Sequence, residues 1–203
     1  YVCTGQNCTL TCEGLRACTG MKYTCAPGSH CDVLCRGNQN YLCKYLNLYA
    51  ANATSLSAAF TALGSSIAQY ADIECPDDGP CTLECTGASV YTCGYAHVQC
   101  PTNGAACDIN CASAGSHACA DMRVDVVGPA PIASISCTGT GAKQCKYMTV
   151  IATGPEAAVD VACECSTCTS LKAERCSEMM VFATHAREAT VSCGVHAGCT
   201  DGR

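Results

Sequence analysis

The chain has 203 residues, 24 of them cysteine, with 14% charged residues and a formal charge of −6. An even cysteine count at this density points to a disulfide framework in an oxidising compartment. The mild, scattered charge contains no basic run, which excludes nucleic acid as a partner, and no stretch nears the roughly 18 consecutive apolar residues of a membrane-spanning helix. A metal-thiolate protein, the competing reading, would be dense in C-x-C, and only Cys163 and Cys165 are so spaced.

The chain opens on Tyr1-Val2-Cys3, already inside a repeat and with no signal peptide, so the expectation is a mature or trimmed secreted chain. Two glycosylation sequons, at Asn7 and Asn52, fit that compartment, although one or two would arise by chance. One column of equivalent positions runs Cys12, Cys35, Phe60, Cys85, Cys111, Cys137, Cys163 and Cys193. The steps from Cys35 to Cys163 are 25, 25, 26, 26 and 26 residues, with 23 before them and 30 after. A second column runs Cys18, Cys43, Ala68, Cys93, Cys119, Cys145, Cys176 and Cys199.

Apolar residues keep the same register. Two before the first column stand Leu10, Val33, Ala58, Leu83, Ile109, Ile135, Val161 and Val191. Five after the second stand Tyr23, Leu48, Ile73, Val98, Val124, Val150 and Val181. Three after the second stand Met21, Leu46, Ala71, Ala96, Met122, Met148 and Met179; offsets of three and five share one face of a strand, and polar residues fall between them. Each repeat is therefore read as one very short strand, such as 82–84, and one of about five residues, such as 95–99. Gly14, Gly37, Gly87 and Gly139, two after the first column, suit a tight corner with positive φ. A repeat of about 25 residues cannot bury its own apolar face, but stacked coils can. The predicted fold is all-β: a single domain over 1–203, a right-handed parallel β-solenoid of about eight coils. At roughly 4.8 Å per coil it would be about 38 Å long.

Two coils depart from the pattern. The one over 51–74 has no cysteine; Leu56, Phe60 and Ala68 fill its cysteine positions, and the register is kept on both sides, against a domain boundary. The other carries an insertion of about five residues around Cys163-Glu164-Cys165-Ser166-Thr167-Cys168. Nearest-neighbour pairing within each coil gives Cys3–Cys8, Cys12–Cys18, Cys25–Cys31, Cys35–Cys43, Cys75–Cys81, Cys85–Cys93, Cys100–Cys107, Cys111–Cys119, Cys137–Cys145 and Cys193–Cys199. At the insertion the assignment is Cys163–Cys176 with Cys165–Cys168; Cys163–Cys165 with Cys168–Cys176 is the alternative, although a bridge across one residue is strained. Loops of about eight residues would contribute roughly 2–3 kcal/mol each. The chain has two Phe and no Trp, so its thin core needs such staples.

The candidate contact surface is a row of Tyr45, Tyr70, Tyr95 and Tyr147, interrupted by Asp121, at an offset facing away from the core. Such aromatics stack on sugar rings, on a neighbouring protein, or on one another along a solenoid face. Zinc at Cys163, Cys165 and Cys168 competes with disulfides, and Asp77-Asp78 falls short of a calcium shell. No cofactor is expected. His30, His97, His117, His185 and His196 share no column and read as surface residues. Asp72 and Asp125 differ in offset, so no carboxylate ladder forms, and no nucleophile or phosphate-loop motif occurs. A flat threonine array of the ice-binding kind is also missing. The expectation is a protein that is not an enzyme.

Cys12-Glu13-Gly14-Leu15-Arg16-Ala17-Cys18, Cys75…Cys81-Thr82-Leu83-Glu84-Cys85 and Cys100…Cys107-Asp108-Ile109-Asn110-Cys111 are the motifs that carry a resemblance. They resemble the cysteine-rich right-handed β-helix repeats of extracellular proteins of algae, oomycetes and other protists, over nearly the whole chain. The resemblance implies a secreted or cell-surface filament subunit, mastigoneme-like, that self-associates or joins related subunits. No amphipathic cap is visible at Tyr1 or Arg203, and the open strand edges then expected would invite head-to-tail stacking. The alternative is an adhesin-like or carbohydrate-binding module using the tyrosine row.

Overall fold

The computed structural model describes residues 1–164 and 176–193. Its strands, in chain order, are β1 (Asn7–Cys12), β2 (Lys22–Thr24), β3 (His30–Cys35), β4 (Asn47–Tyr49), β5 (Ser55–Phe60), β6 (Asp72–Glu74), β7 (Cys81–Glu84) and β8 (His97–Gln99). There follow β9 (Ala106–Asn110), β10 (Arg123–Val127), β11 (Ile132–Cys137), β12 (Thr149–Thr153), β13 (Ala158–Cys163), β14 (Met180–Thr184) and β15 (Glu188–Cys193). The odd strands form an eight-stranded parallel sheet and the even strands a seven-stranded one, each pairing only with its neighbours one coil away. This is a parallel β-solenoid of about seven turns among the described residues. The eighth coil of the sequence count falls in part on residues outside them.

The register is the one the apolar rows require. Leu10 pairs with Val33, Val33 with Ala58, Ala58 with Leu83, Leu83 with Ile109, Ile109 with Ile135, and Ile135 with Val161. On the facing sheet Tyr23, Leu48, Ile73, Val98, Val124 and Val150 form the matching row, all at most 1% exposed. Strands such as β3 and β11 alternate exposed and buried positions, as one-sided sheets do. Each Val, Leu or Ile so buried contributes about 1.5–3 kcal/mol.

Two expectations need correction. The strand before the first cysteine column is longer than expected, six residues in β1, β3 and β5, and the strand after the second column has only three in β4, β6 and β8, although β10, β12 and β14 have the expected five. The segment at 95–99 is shortened because Tyr95 has φ 58° and ends a turn, so the strand starts only at His97. The corner glycines also divide by role. Gly14 (φ 99°) and Gly37 (φ 127°) supply positive φ. Gly87 and Gly139 do not; a Cβ there would overlap the carbonyl oxygens of Ala62 and Ser113 in the preceding coil.

Positive φ lies instead along the third side, between the two sheets. There the backbone turns left-handed at every second residue: Tyr41, Cys43 and Tyr45 at 62°, 53° and 58°, then Ser66, Ala68 and Tyr70 at 60°, 47° and 60°. The second-column position keeps this conformation in every described coil, from Cys18 at 55° to Cys176 at 48°. Each such residue costs about 1–2 kcal/mol in isolation. Ladder hydrogen bonds offset the cost. Cys43 N donates to Ala17 O of the preceding coil, and Tyr45 N donates to Gln69 O of the following one, both at 2.9 Å. Cys93 and Tyr95 repeat the arrangement with Ile67 O (2.9 Å) and Ala120 O (2.8 Å). Alternate peptides thus point opposite ways along the axis, and this side is hydrogen-bonded coil to coil without being a β-sheet.

Ten disulfides lie among the described residues: Cys3–Cys8, Cys12–Cys18, Cys25–Cys31, Cys35–Cys43, Cys75–Cys81, Cys85–Cys93, Cys100–Cys107, Cys111–Cys119, Cys137–Cys145 and Cys163–Cys176. These are the pairs that nearest-neighbour pairing assigns, and Cys163–Cys176 is the bond of the preferred arrangement at the insertion. Cys165–Cys168 and Cys193–Cys199 lie outside the described residues or involve a partner that does. All ten bonds close within a coil. Disulfides in this number require an oxidising environment. Among the described residues no helix is long and apolar enough to cross a membrane.

Candidate interaction surface

The left-handed residues two after the second column are where the tyrosine row sits. Their backbone conformation turns the side chains outward: Tyr45 is 48% exposed, and Tyr70, Tyr95 and Tyr147 are 42% exposed. Three of the four stack on one another. The Tyr45 and Tyr70 ring centroids are 5.2 Å apart with planes at 13°, and those of Tyr70 and Tyr95 are 5.0 Å apart at 22°. Lys44 Nζ lies 5.0 Å from the Tyr45 centroid and 5.5 Å from that of Tyr70, a cation–π cluster that also takes in Tyr41 at 5.2 Å. Lys146 Nζ sits 4.8 Å from the Tyr147 centroid.

Asp121 interrupts the row and acts on its neighbour. Its carboxylate pushes the Tyr95 phenol above the ordinary tyrosine value, helped by partial burial and by Tyr70 and Tyr91. On the same side His117 lies against Tyr91, with centroids 4.9 Å apart. Burial lowers the His117 imidazole's pKa, and Lys143 and Lys146 lower it further against the opposing pull of Asp121.

The outer face of the even-numbered sheet carries a charged strip that offsets along the sequence do not reveal. His97 pairs laterally with Asp72 and Arg123 in the ladder. Its Nδ1 stands 3.1 Å from an Asp72 oxygen and its Nε2 2.9 Å from an Asp125 oxygen. Arg123 Nε donates to the other Asp125 oxygen at 2.9 Å. Asp72 and Asp125 do differ in offset, yet His97, in the coil between them, joins them diagonally; it is a half-buried link, more than a surface residue. Partial burial pushes the Asp125 carboxyl up, but the hydrogen bonds and charges of Arg123 and His97 outweigh it, and the net shift is downward. Beside the strip, Glu74, Asp77, Gln99, Thr102 and Asp125 line a shallow cavity of about 260 Å³. No histidine or lysine lies among its lining residues.

The remaining expected positions are accounted for locally. Asn7 and Asn52 are exposed. Asp78 accepts a hydrogen bond from Asn103 of the next coil, which makes the Asp77-Asp78 corner part of the coil stacking. Sulfur triplets such as Cys12, Cys18 and Cys43 lie within 4.8 Å of one another. Each of these triplets contains a cystine, so they are stacked disulfides. Cys163 is bonded to Cys176, which takes it out of a zinc set with Cys165 and Cys168.

No protein-family model matches this chain, and neither a curated protein nor a solved structure does.

Proposed function

We propose that this chain is a non-enzymatic structural subunit of an extracellular or cell-surface filament, assembling head to tail. The observation that carries the reading is the separation of two kinds of bond. Every described disulfide closes a loop within one coil, spanning 5 to 13 residues. Coils are joined to one another by ladder hydrogen bonds and stacked side chains, the same interface repeated along the axis. An interface that works between coils of one chain works equally between chains, and a head-to-tail contact of this kind propagates without closing. Stapled coils also suit a load-bearing rod, because each resists unravelling on its own. The resemblance to mastigoneme-like repeats supports the same reading, with related subunits as further partners. Secretion is the route that the disulfides favour.

A glycan-binding role for the tyrosine row has less support. Sugars stack on ring faces, and the facing surfaces of Tyr45, Tyr70 and Tyr95 are taken by one another. Electron microscopy of the purified, oxidised chain at rising concentration tests the proposal. Rods that lengthen in steps of one solenoid support it; single particles at every concentration, alone and with related subunits, overturn it.

A further inference from the structure

We propose that Tyr45, Tyr70 and Tyr95 form an oxidative cross-linking site, at which a haem peroxidase using hydrogen peroxide joins adjacent rings as dityrosine. The site would tie successive coils together covalently. Three observations converge on it. The rings are exposed and near-parallel, with centroids 5.0 and 5.2 Å apart. Their backbones are held in neighbouring rows by the Tyr45 N–Gln69 O and Tyr70 N–Gly94 O hydrogen bonds, so the rings cannot drift apart by coil slippage. Tyr70 belongs to the coil over 51–74, which lacks cysteine, so coupling on both sides would anchor that coil to both neighbours. None of the ten described disulfides supplies a link of this kind.

The chemistry balances. Each phenol gives one electron and one proton to the oxidant, and the two phenoxyl radicals couple through ring carbons ortho to oxygen. The displaced ring hydrogens return to the two oxygens as the rings regain aromaticity. Overall two hydrogens leave the pair, one carbon–carbon bond forms, and one peroxide becomes two waters. Two other tyrosine positions are internal controls. Tyr23 also stacks on a neighbour, Tyr1, at 5.7 Å, but is only 1% exposed. Tyr147 is exposed, yet stacks on no other tyrosine among the described residues.

The test is oxidation of dilute, monomeric protein by peroxidase and limiting peroxide, read by dityrosine fluorescence and by peptide mass spectrometry after disulfide reduction. The expected products are Tyr45–Tyr70 and Tyr70–Tyr95 peptide pairs, each lighter than its parts by two hydrogens. Tyr70→Phe keeps the ring stack and should lose both; Tyr45→Phe should lose only the first. An unchanged thermal midpoint of each unoxidised variant shows that it folds. The proposal fails if no dityrosine forms, if it forms only between molecules in proportion to concentration, or if Tyr70→Phe leaves the yield unchanged. Because the readout is on monomers, it stands or falls separately from filament assembly.

Discussion

The coil over 51–74 and the one that follows it have the same shape and different chemistry. In the second, Cys75–Cys81 and Cys85–Cys93 close the two corners. In the first, Ala50 with Leu56 and Phe60 with Ala68 occupy the equivalent places, all at most 2% exposed. The backbone hardly notices: φ is 47° at Ala68 and 53° at Cys93. The same exchange recurs where Val126 with Ala133, and Ala152 with Val159, stand for a cystine. Each substitute pairs one larger residue with one alanine, and both are buried. The disulfide therefore does not bend the chain. The bend comes from the left-handed turns and ladder bonds, and the corner then accepts either a covalent link or close packing.

That equivalence can be broken first at Phe60. Phe60→Ala empties a corner that has no cross-link and should cost about 3–5 kcal/mol, read as a fall in the urea midpoint. A loss under about 1 kcal/mol would mean that the corner collapses freely and that packing is not what replaces the cystine. Removing the bond from the neighbouring coil, with Cys85→Ala and Cys93→Ala together, should cost roughly 2–3 kcal/mol, since only a short loop is released. Mass spectrometry of that variant should find the other pairings intact.

Smaller effects sharpen the contrast. Asp72, in the cysteine-free coil, reaches its neighbours through His97 and Asp125. The Asp125 pKa is lower folded than unfolded, so its stabilisation is present above the ordinary carboxylate range near about pH 4. It is lost as pH falls through the lowered value. The contribution should be under about 1 kcal/mol, as for other partly exposed pairs, and Arg123→Ala should shrink the acid-side slope of the stability curve. The smallest expected change is the most direct test. Phe60→Cys combined with Ala68→Cys should form a disulfide with stability within about 1 kcal/mol of the parent, the bond offsetting the lost ring. Free thiols in that variant would show that the two corners are not interchangeable.

Much of this molecule is legible in its sequence because its defining contacts are short-range or strictly periodic. Cystines separated by 5 to 13 residues can be paired by eye, and the Leu83–Ile109–Ile135 row follows from counting. The left-handed run was hidden because cysteine and tyrosine occupy positions that usually advertise themselves with glycine. Gly20, standing in the tyrosine column with φ 67°, is the one residue that signals it. The His97 link was hidden because it runs diagonally across three coils, and a column-by-column reading looks only along rows.

The sequence by itself determined the coil length, the inward rows and the cysteine pairs of the regular coils, since each depends on spacing within a repeat. Only the tertiary structure decided which residues take positive φ, that three tyrosines lie ring against ring, and that Gly87 serves close approach instead of a turn. Those outcomes depend on what the next coil places about 4.8 Å away, a distance no single repeat encodes.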